Sequence, residues 1–260
     1  MIEPFLSKEF IAIILVASSC ALLGVFVLWK KLSFFGDALS HSILLGLVVG
    51  GIFNCSQIII LAVFSVIFAF LLNSSFKNNY FSKDTIIAVF SYLFVSFAMI
   101  LSDVLSQNFD LHDYVFGDIS SVVNSDIIGL LIIFFVVATF SFFTFKKILL
   151  ISINQDLAKL DGIKCEFWNL FSLILLSLVI AFSARIVGIF LMTALLILPA
   201  AIARIFSVSA KMMMILSLII AIIFSAISFV ISNSYNITIS SLLIAMLSLV
   251  FVSFIALKNE

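Results

Sequence analysis

Nine apolar runs, at roughly 9–29, 33–53, 57–73, 85–105, 126–145, 167–186, 188–204, 211–232 and 238–257, occupy nearly all of this 260-residue chain. An α-helix needs about 20 apolar residues to cross a hydrocarbon core about 30 Å thick. In lipid only helices and closed barrels satisfy their own backbone polar groups, and a barrel would show short alternating segments instead. The runs therefore restrict the chain to an all-α, polytopic helical membrane protein with eight or nine transmembrane helices. The run at 188–204 decides the count, because it is short and holds Pro199. If it is re-entrant, eight helices remain and the downstream orientation inverts. A chain that is 65% hydrophobic and 10% charged has no counterpart among water-soluble domains of this size.

Net charge is zero, but the placement of charge orients the chain. With the N-terminus outside and nine crossings, Lys30, Lys31, Lys77, Lys83, Lys146, Lys147, Lys159, Lys164, Arg204, Lys211 and Lys258 all fall on the cytoplasmic side. That is 11 of 13 basic residues, Lys8 and Arg185 being the exceptions. The positive-inside rule favours this orientation, which makes the C-terminus cytoplasmic. The first run ends in Trp29-Lys30-Lys31 with no small-residue cleavage site, so it is read as a retained span. Cys20, Cys55 and Cys165 fall in a span, an outer turn and a cytoplasmic loop, with no Cys-x-x-Cys pair. No disulfide framework or thiolate metal site is expected.

One span carries ionisable groups. Asp37 and His41 lie four residues apart in Phe34-Phe35-Gly36-Asp37-Ala38-Leu39-Ser40-His41-Ser42, in a segment that otherwise suits lipid. Ionisable side chains there are costly and usually functional. Residues four apart share a helix face about 6 Å apart along the axis, so the pair can grip one cation. At about 100° per residue, Leu44 and Val48 fall on the same face and form a candidate gate, while Gly46 and Gly50 fall opposite and suit a neighbouring helix. Counted from Lys31 at about 1.5 Å per residue, Asp37 lies about 9 Å and His41 about 15 Å into the membrane, near its middle.

Two loops stand out. The outer loop at about 106–125 has no Lys or Arg and carries Asp110, His112, Asp113 and Asp118, flanked by Asp103 and Asp126. It is either a solvated acidic loop or a vestibule, centred on Asp110, His112 and Asp113, that concentrates cations. The inner loop at about 146–166 contains Asn154, a good helix cap, and Gly162, a good terminator, with room between for about two turns. Asp156, Leu157, Ala158 and Leu160 lie in that interval, and exposed leucines on a short capped helix suit docking to a soluble partner. Pro199 frees the carbonyl of Leu195 and permits a kink.

The chain has no Gly-x-x-x-x-Gly-Lys-Ser/Thr loop, no nucleophile elbow and no His-Glu-x-x-His. It offers almost nothing for ATP binding of that kind or for covalent or metallohydrolase chemistry. It is not expected to be an enzyme, to hold a cofactor stably or to bind nucleic acid.

Four stretches taken together resemble the membrane permease subunits of bacterial zinc and manganese ABC importers, and most of all the zinc-uptake permease. They are Phe35 through Gly46, Tyr114-Val115-Phe116-Gly117-Asp118-Ile119, Asp156-Leu157-Ala158 with Asp161-Gly162, and Val187-Gly188 through Leu196-Ile197-Leu198-Pro199-Ala200-Ala201-Ile202-Ala203-Arg204. The resemblance implies that 1–260 is a single transmembrane permease domain, in the cell inner membrane, with Zn²⁺ as transported substrate. It implies a second copy of the chain, two ATP-binding subunits that hydrolyse ATP, and a periplasmic zinc-binding protein. It carries the metal pair onto Asp37 and His41, and the ATPase coupling element onto Asp156, Leu157, Ala158, Leu160 and Gly162. No metal role is carried onto Asp118. Lys159 and Cys165 are not signature residues of the family. Two alternatives stay open: the same machine importing Mn²⁺ or Fe²⁺, since these metals share such ligands, and a proton-coupled secondary carrier with Asp37 as the proton site. The carrier would need inverted repeats, which are not seen.

Overall fold

Each apolar run forms a helix. A computed structural model describes residues 7–53, 57–76, 80–105, 117–235 and 237–258. In chain order the helices are α1 (Lys8–Lys30), α2 (Phe35–Phe53), α3 (Gln57–Ser75), α4 (Lys83–Leu105), α5 (Asn124–Ile153), α6 (Gln155–Leu160), α7 (Cys165–Val187), α8 (Ile189–Phe206), α9 (Ala210–Tyr235) and α10 (Ile239–Lys258), with a 3₁₀ turn at Ile119–Ser121. The described residues contain no strand. Among the described residues eight helices are long and apolar enough to cross a membrane, α8 among them. The ninth, α3, is apolar over the shorter stretch Ile59–Ser75.

Two sequence expectations are corrected. The helix of the fifth run does not stop at Lys146-Lys147: α5 runs on through Ile148 to Ile153. Lysine stems can lie along a helix while the ammonium reaches water, so a lysine pair does not stop one. The long loop expected at about 146–166 thus shrinks to the few residues around α6. Cys165 is the first residue of α7 and is buried, rather than a loop residue. Cys55 lies outside the described residues.

The hydroxyls that interrupt these apolar helices are largely absorbed locally. Ser40 donates to the Gly36 carbonyl (2.8 Å), Ser177 to Leu173 (2.8 Å) and Thr144 to Phe140 (2.6 Å). All three are buried, and each bonds one turn back, which is how a hydroxyl is satisfied inside an apolar bundle.

The chain divides into two compact units. The first comprises Met1–Trp29, Asp113–Phe145 and Ser183–Glu260. Here α8 packs on α9 and α10, which also pack on each other. α1 joins them through Val25, buried with Ala200, Ala203 and Met213. Ser217 on α9 donates to the Ala21 carbonyl on α1 (3.0 Å), and Phe10 meets Phe229 edge-on at 5.2 Å. The second unit comprises Lys30–His112 and Lys146–Phe182. α2 packs on α4 and α3, and the rings of Phe35, Phe68 and Phe94 follow one another at 5.7 and 5.6 Å.

Burial separates the helices into two sorts. Over its most apolar stretch, 78% of α1 and 61% of α2 is buried, against 22% of α4 and 17% of α10. Phe97 and Val104 on α4, and Phe142 and Phe143 on α5, point outward. Such faces suit lipid.

Candidate functional site

Asp37 and His41 share one face of α2, as their spacing predicts, and the helix starts later than a count from Lys31 assumes. Residues 31–34 form a turn, with Lys31 at φ 56°, and the helix begins at Phe35. The count therefore starts there: Asp37 lies in the first turn and His41 about 9 Å into the helix. A carboxylate in a first turn is favoured by the unpaired N–H groups and the helix dipole, so this position carries its own electrostatic support.

The pair is accessible. Asp37 is exposed, His41 is half-buried, and the carboxylate is close enough for its charge to act on the imidazole. The His41 Nδ1 is buried and has no hydrogen-bond partner among the described residues. Beyond them on the same face, Leu44 is half-buried and Val48 is 3% exposed. The face thus runs from open to closed along the helix, polar at its open end and apolar at its closed end. The opposite face is packed against α3. A Cβ on Gly46 would stand 3.1 Å from Phe64 Cγ, and one on Gly50 would stand 3.0 Å from Ile60 Cδ1. Both are tighter than ordinary contact, so the two glycines fix how closely α2 approaches α3 and thereby which face stays free.

Among the described residues no three His, Cys, Asp or Glu side chains cluster closely enough to hold a metal ion. At this end of α2 one copy of the chain presents one imidazole and one carboxylate.

The short helix α6 forms where expected. The Asn154 side chain accepts from the backbone N–H of Asp156 (2.8 Å) and Leu157 (3.2 Å). At the other end Gly162 takes φ 74°, its N–H bonds the Lys159 carbonyl, and that of Ile163 bonds the Ala158 carbonyl, both at 3.0 Å. This is a Schellman closure, which requires the left-handed residue that glycine supplies. Ala158 is fully buried against Ile151 and Cys165, with Ile163 and Trp168 alongside, and Lys147 lies over the Trp168 ring at 4.5 Å. Leu157 and Leu160 are left 51% and 83% exposed. Asp156 pairs with Lys159 at 3.2 Å on the exposed side, where such a pair adds little stability.

The family model described as the ABC 3 transport family matches residues 2–258. The chain belongs to that family. It is 34% identical to the high-affinity zinc uptake system membrane protein ZnuB of Buchnera aphidicola, over 88% of this chain and 89% of that one. It is 30% identical to the manganese import system permease protein ScaB of Streptococcus gordonii, over 98% and 93%. Among solved structures it resembles PsaBC from Streptococcus pneumoniae, determined in complex with Fab, with a TM-score of 0.82 and 28% identity over 96% of this chain and 90% of that one.

Within this ABC 3 chain the motif around Asp118 has a structural explanation. Asp118 caps the 3₁₀ turn, accepting from the N–H of Ser120 (3.0 Å) and from its hydroxyl. Gly117, at φ 74°, abuts the backbone of Val187 and of Gly188, itself at φ 84°. Two glycines far apart in sequence thus meet backbone to backbone, a contact their spacing could not reveal. The expected vestibule residues Asp110, His112 and Asp113 lie outside the described residues. Asp118 lies in the turn and Asp126 in the first turn of α5, where its carboxylate accepts from the Val123 N–H (3.1 Å).

Proposed function

We propose that this chain is the membrane-spanning permease of an ATP-driven importer that carries Zn²⁺ from the periplasm to the cytoplasm, with residues 1–260 acting as one permease in the inner membrane. The observation that carries the reading is the open polar end of α2 in a chain of this family. An exposed carboxylate and an imidazole on an apolar helix cannot be left facing lipid. A second copy related by a two-fold axis would turn the same face inward twice. Two Asp37 carboxylates and two His41 imidazoles would then give an N₂O₂ set, the ligand number and type that tetrahedral zinc takes. The distribution of basic residues supports an N-terminus outside. Two ATP-binding subunits would dock on α6, and a periplasmic zinc-binding protein would deliver the ion to the outer acidic loop.

Manganese is the second reading, favoured by the likeness to ScaB at nearly full length. A competition of Zn²⁺ against Mn²⁺ for uptake separates the two.

The site itself is tested by Asp37→Asn and His41→Gln. Each keeps polarity and approximate shape while removing a charge or a strong zinc ligand. Both variants are expected to assemble with the ATP-binding subunits and to lose uptake of radioactive zinc into vesicles, normalised to assembled complex. Near-normal uptake by either variant removes that residue from the site.

A further inference from the structure

The second unit holds a cavity of about 320 Å³ that the transport reading does not use. It opens where α1 ends, beside the end of α3 and the starts of α4 and α7, with α6 across it. Lys30, Lys83 and Lys159 line it together with the side-chain amides of Asn73, Gln155 and Asn169. Glu166 also lines it and has a partner of its own.

Lys30 sets this cavity apart. Its Nζ is buried and donates to no hydrogen-bond acceptor among the described residues. The charge of Lys83 acts on it. The C-terminal end of α1 favours a cation, yet the ammonium reaches none of the carbonyls there. An isolated buried ammonium beside a second one is strongly unfavourable unless an anion compensates it. The other lysines have partial partners: Lys159 pairs with Asp156 at 3.2 Å, and Lys83 lies 5.8 Å from the centre of the Phe76 ring. The charge of Asp84 also acts on Lys83. The walls therefore offer three ammonium groups against the single carboxylate of Glu166, and none of the acceptors there reaches the Lys30 ammonium.

We propose that this cavity binds a phosphate group, presented by the headgroup of an anionic phospholipid or as free inorganic phosphate. Three ammonium groups and three amides suit a compact anion with several acceptor oxygens. The volume is at the lower end of small-ligand sites. Basic pockets among helix ends at the cytoplasmic surface are where phospholipid headgroups bind. Because Gln155 and Lys159 belong to α6, the bound phosphate would also hold that helix against α1 and α4.

The test uses the full chain, purified in neutral detergent and stripped of lipid. Short-chain phosphatidylglycerol, inorganic phosphate and short-chain phosphatidylcholine are compared by equilibrium binding and by thermal melting. Lys30→Met replaces the lone charge with an apolar chain of similar length, so it is expected to fold and to melt no lower than the parent without anion. It should weaken anion binding at least tenfold and remove the rise in melting temperature that the anion gives. Lys83→Gln should weaken binding as well, while Lys211→Gln, which does not line the cavity, should leave it unchanged. Binding of phosphatidylglycerol alone assigns a lipid headgroup; equal binding of inorganic phosphate assigns the free ion. The proposal is overturned if neither binds better than phosphatidylcholine, or if binding is indifferent to both Lys30→Met and Lys83→Gln. It is also overturned if only the ATP-binding subunit, and neither anion, protects Lys30 from amine labelling, since the occupant would then be a protein carboxylate.

Discussion

Val48 and Leu44 illustrate how much one turn of helix decides. They share the face of Asp37 and His41, yet Val48 is closed off while Leu44 is half-open. A metal ion held at the open end would meet a dry apolar barrier at the closed one, and apolar constrictions stop ions by excluding water. Replacing both residues with alanine is expected to let zinc leak or to release ATP hydrolysis from transport, measured as flux and hydrolysis in proteoliposomes. Normal coupling in the double variant places the barrier elsewhere. Val48→Ala also removes buried surface, worth on the order of 1–2 kcal/mol, so the amount of assembled complex has to be measured alongside. The shared face was legible because 100° per residue is a property of any α-helix. The start of the helix was not: the turn at residues 31–34 delays it to Phe35, and nothing in Lys31-Leu32-Ser33-Phe34 announces a left-handed lysine.

At the scale of the element, α6 is a small helix held by devices that need no lipid. A cap, a glycine closure and one buried alanine fix it, and two leucines are left over. Leu157→Glu with Leu160→Glu is therefore expected to leave the permease folded and inserted. It should reduce co-purification with the ATP-binding subunit and metal-stimulated hydrolysis; unchanged values for both remove α6 from coupling. Asn154→Ala should instead loosen the helix, by about 1 kcal/mol as for other N-caps. Here the sequence was unusually readable, since cap and terminator are local chemistry. The length of α5 was hidden by the same locality. A lysine pair looks like a membrane boundary, and only packing around Trp168 shows that the helix carries on past it.

For the whole molecule, the burial of each helix sorts the chain by what it touches. α1 and α2 are largely enclosed, while α4, α9 and α10 present most of their surface outward. Hydropathy cannot make that distinction, because lipid and a protein interior are equally apolar. The lysine cavity was likewise invisible in sequence, since its walls come from five helices. The contact of Gly117 with Gly188 belongs to this scale too, and it carries no side chain at all. A contact between side chains yields gradually, because rotamers shift to admit a larger neighbour. A contact between two backbones has no such give, and the first atom added is already the one that collides. Tolerance at Gly117 should therefore fall as a step rather than a slope. Alanine, serine and valine there are expected to reduce the yield of monodisperse protein to the same degree, whereas a loss that grew with side-chain size would show that the two chain segments can part.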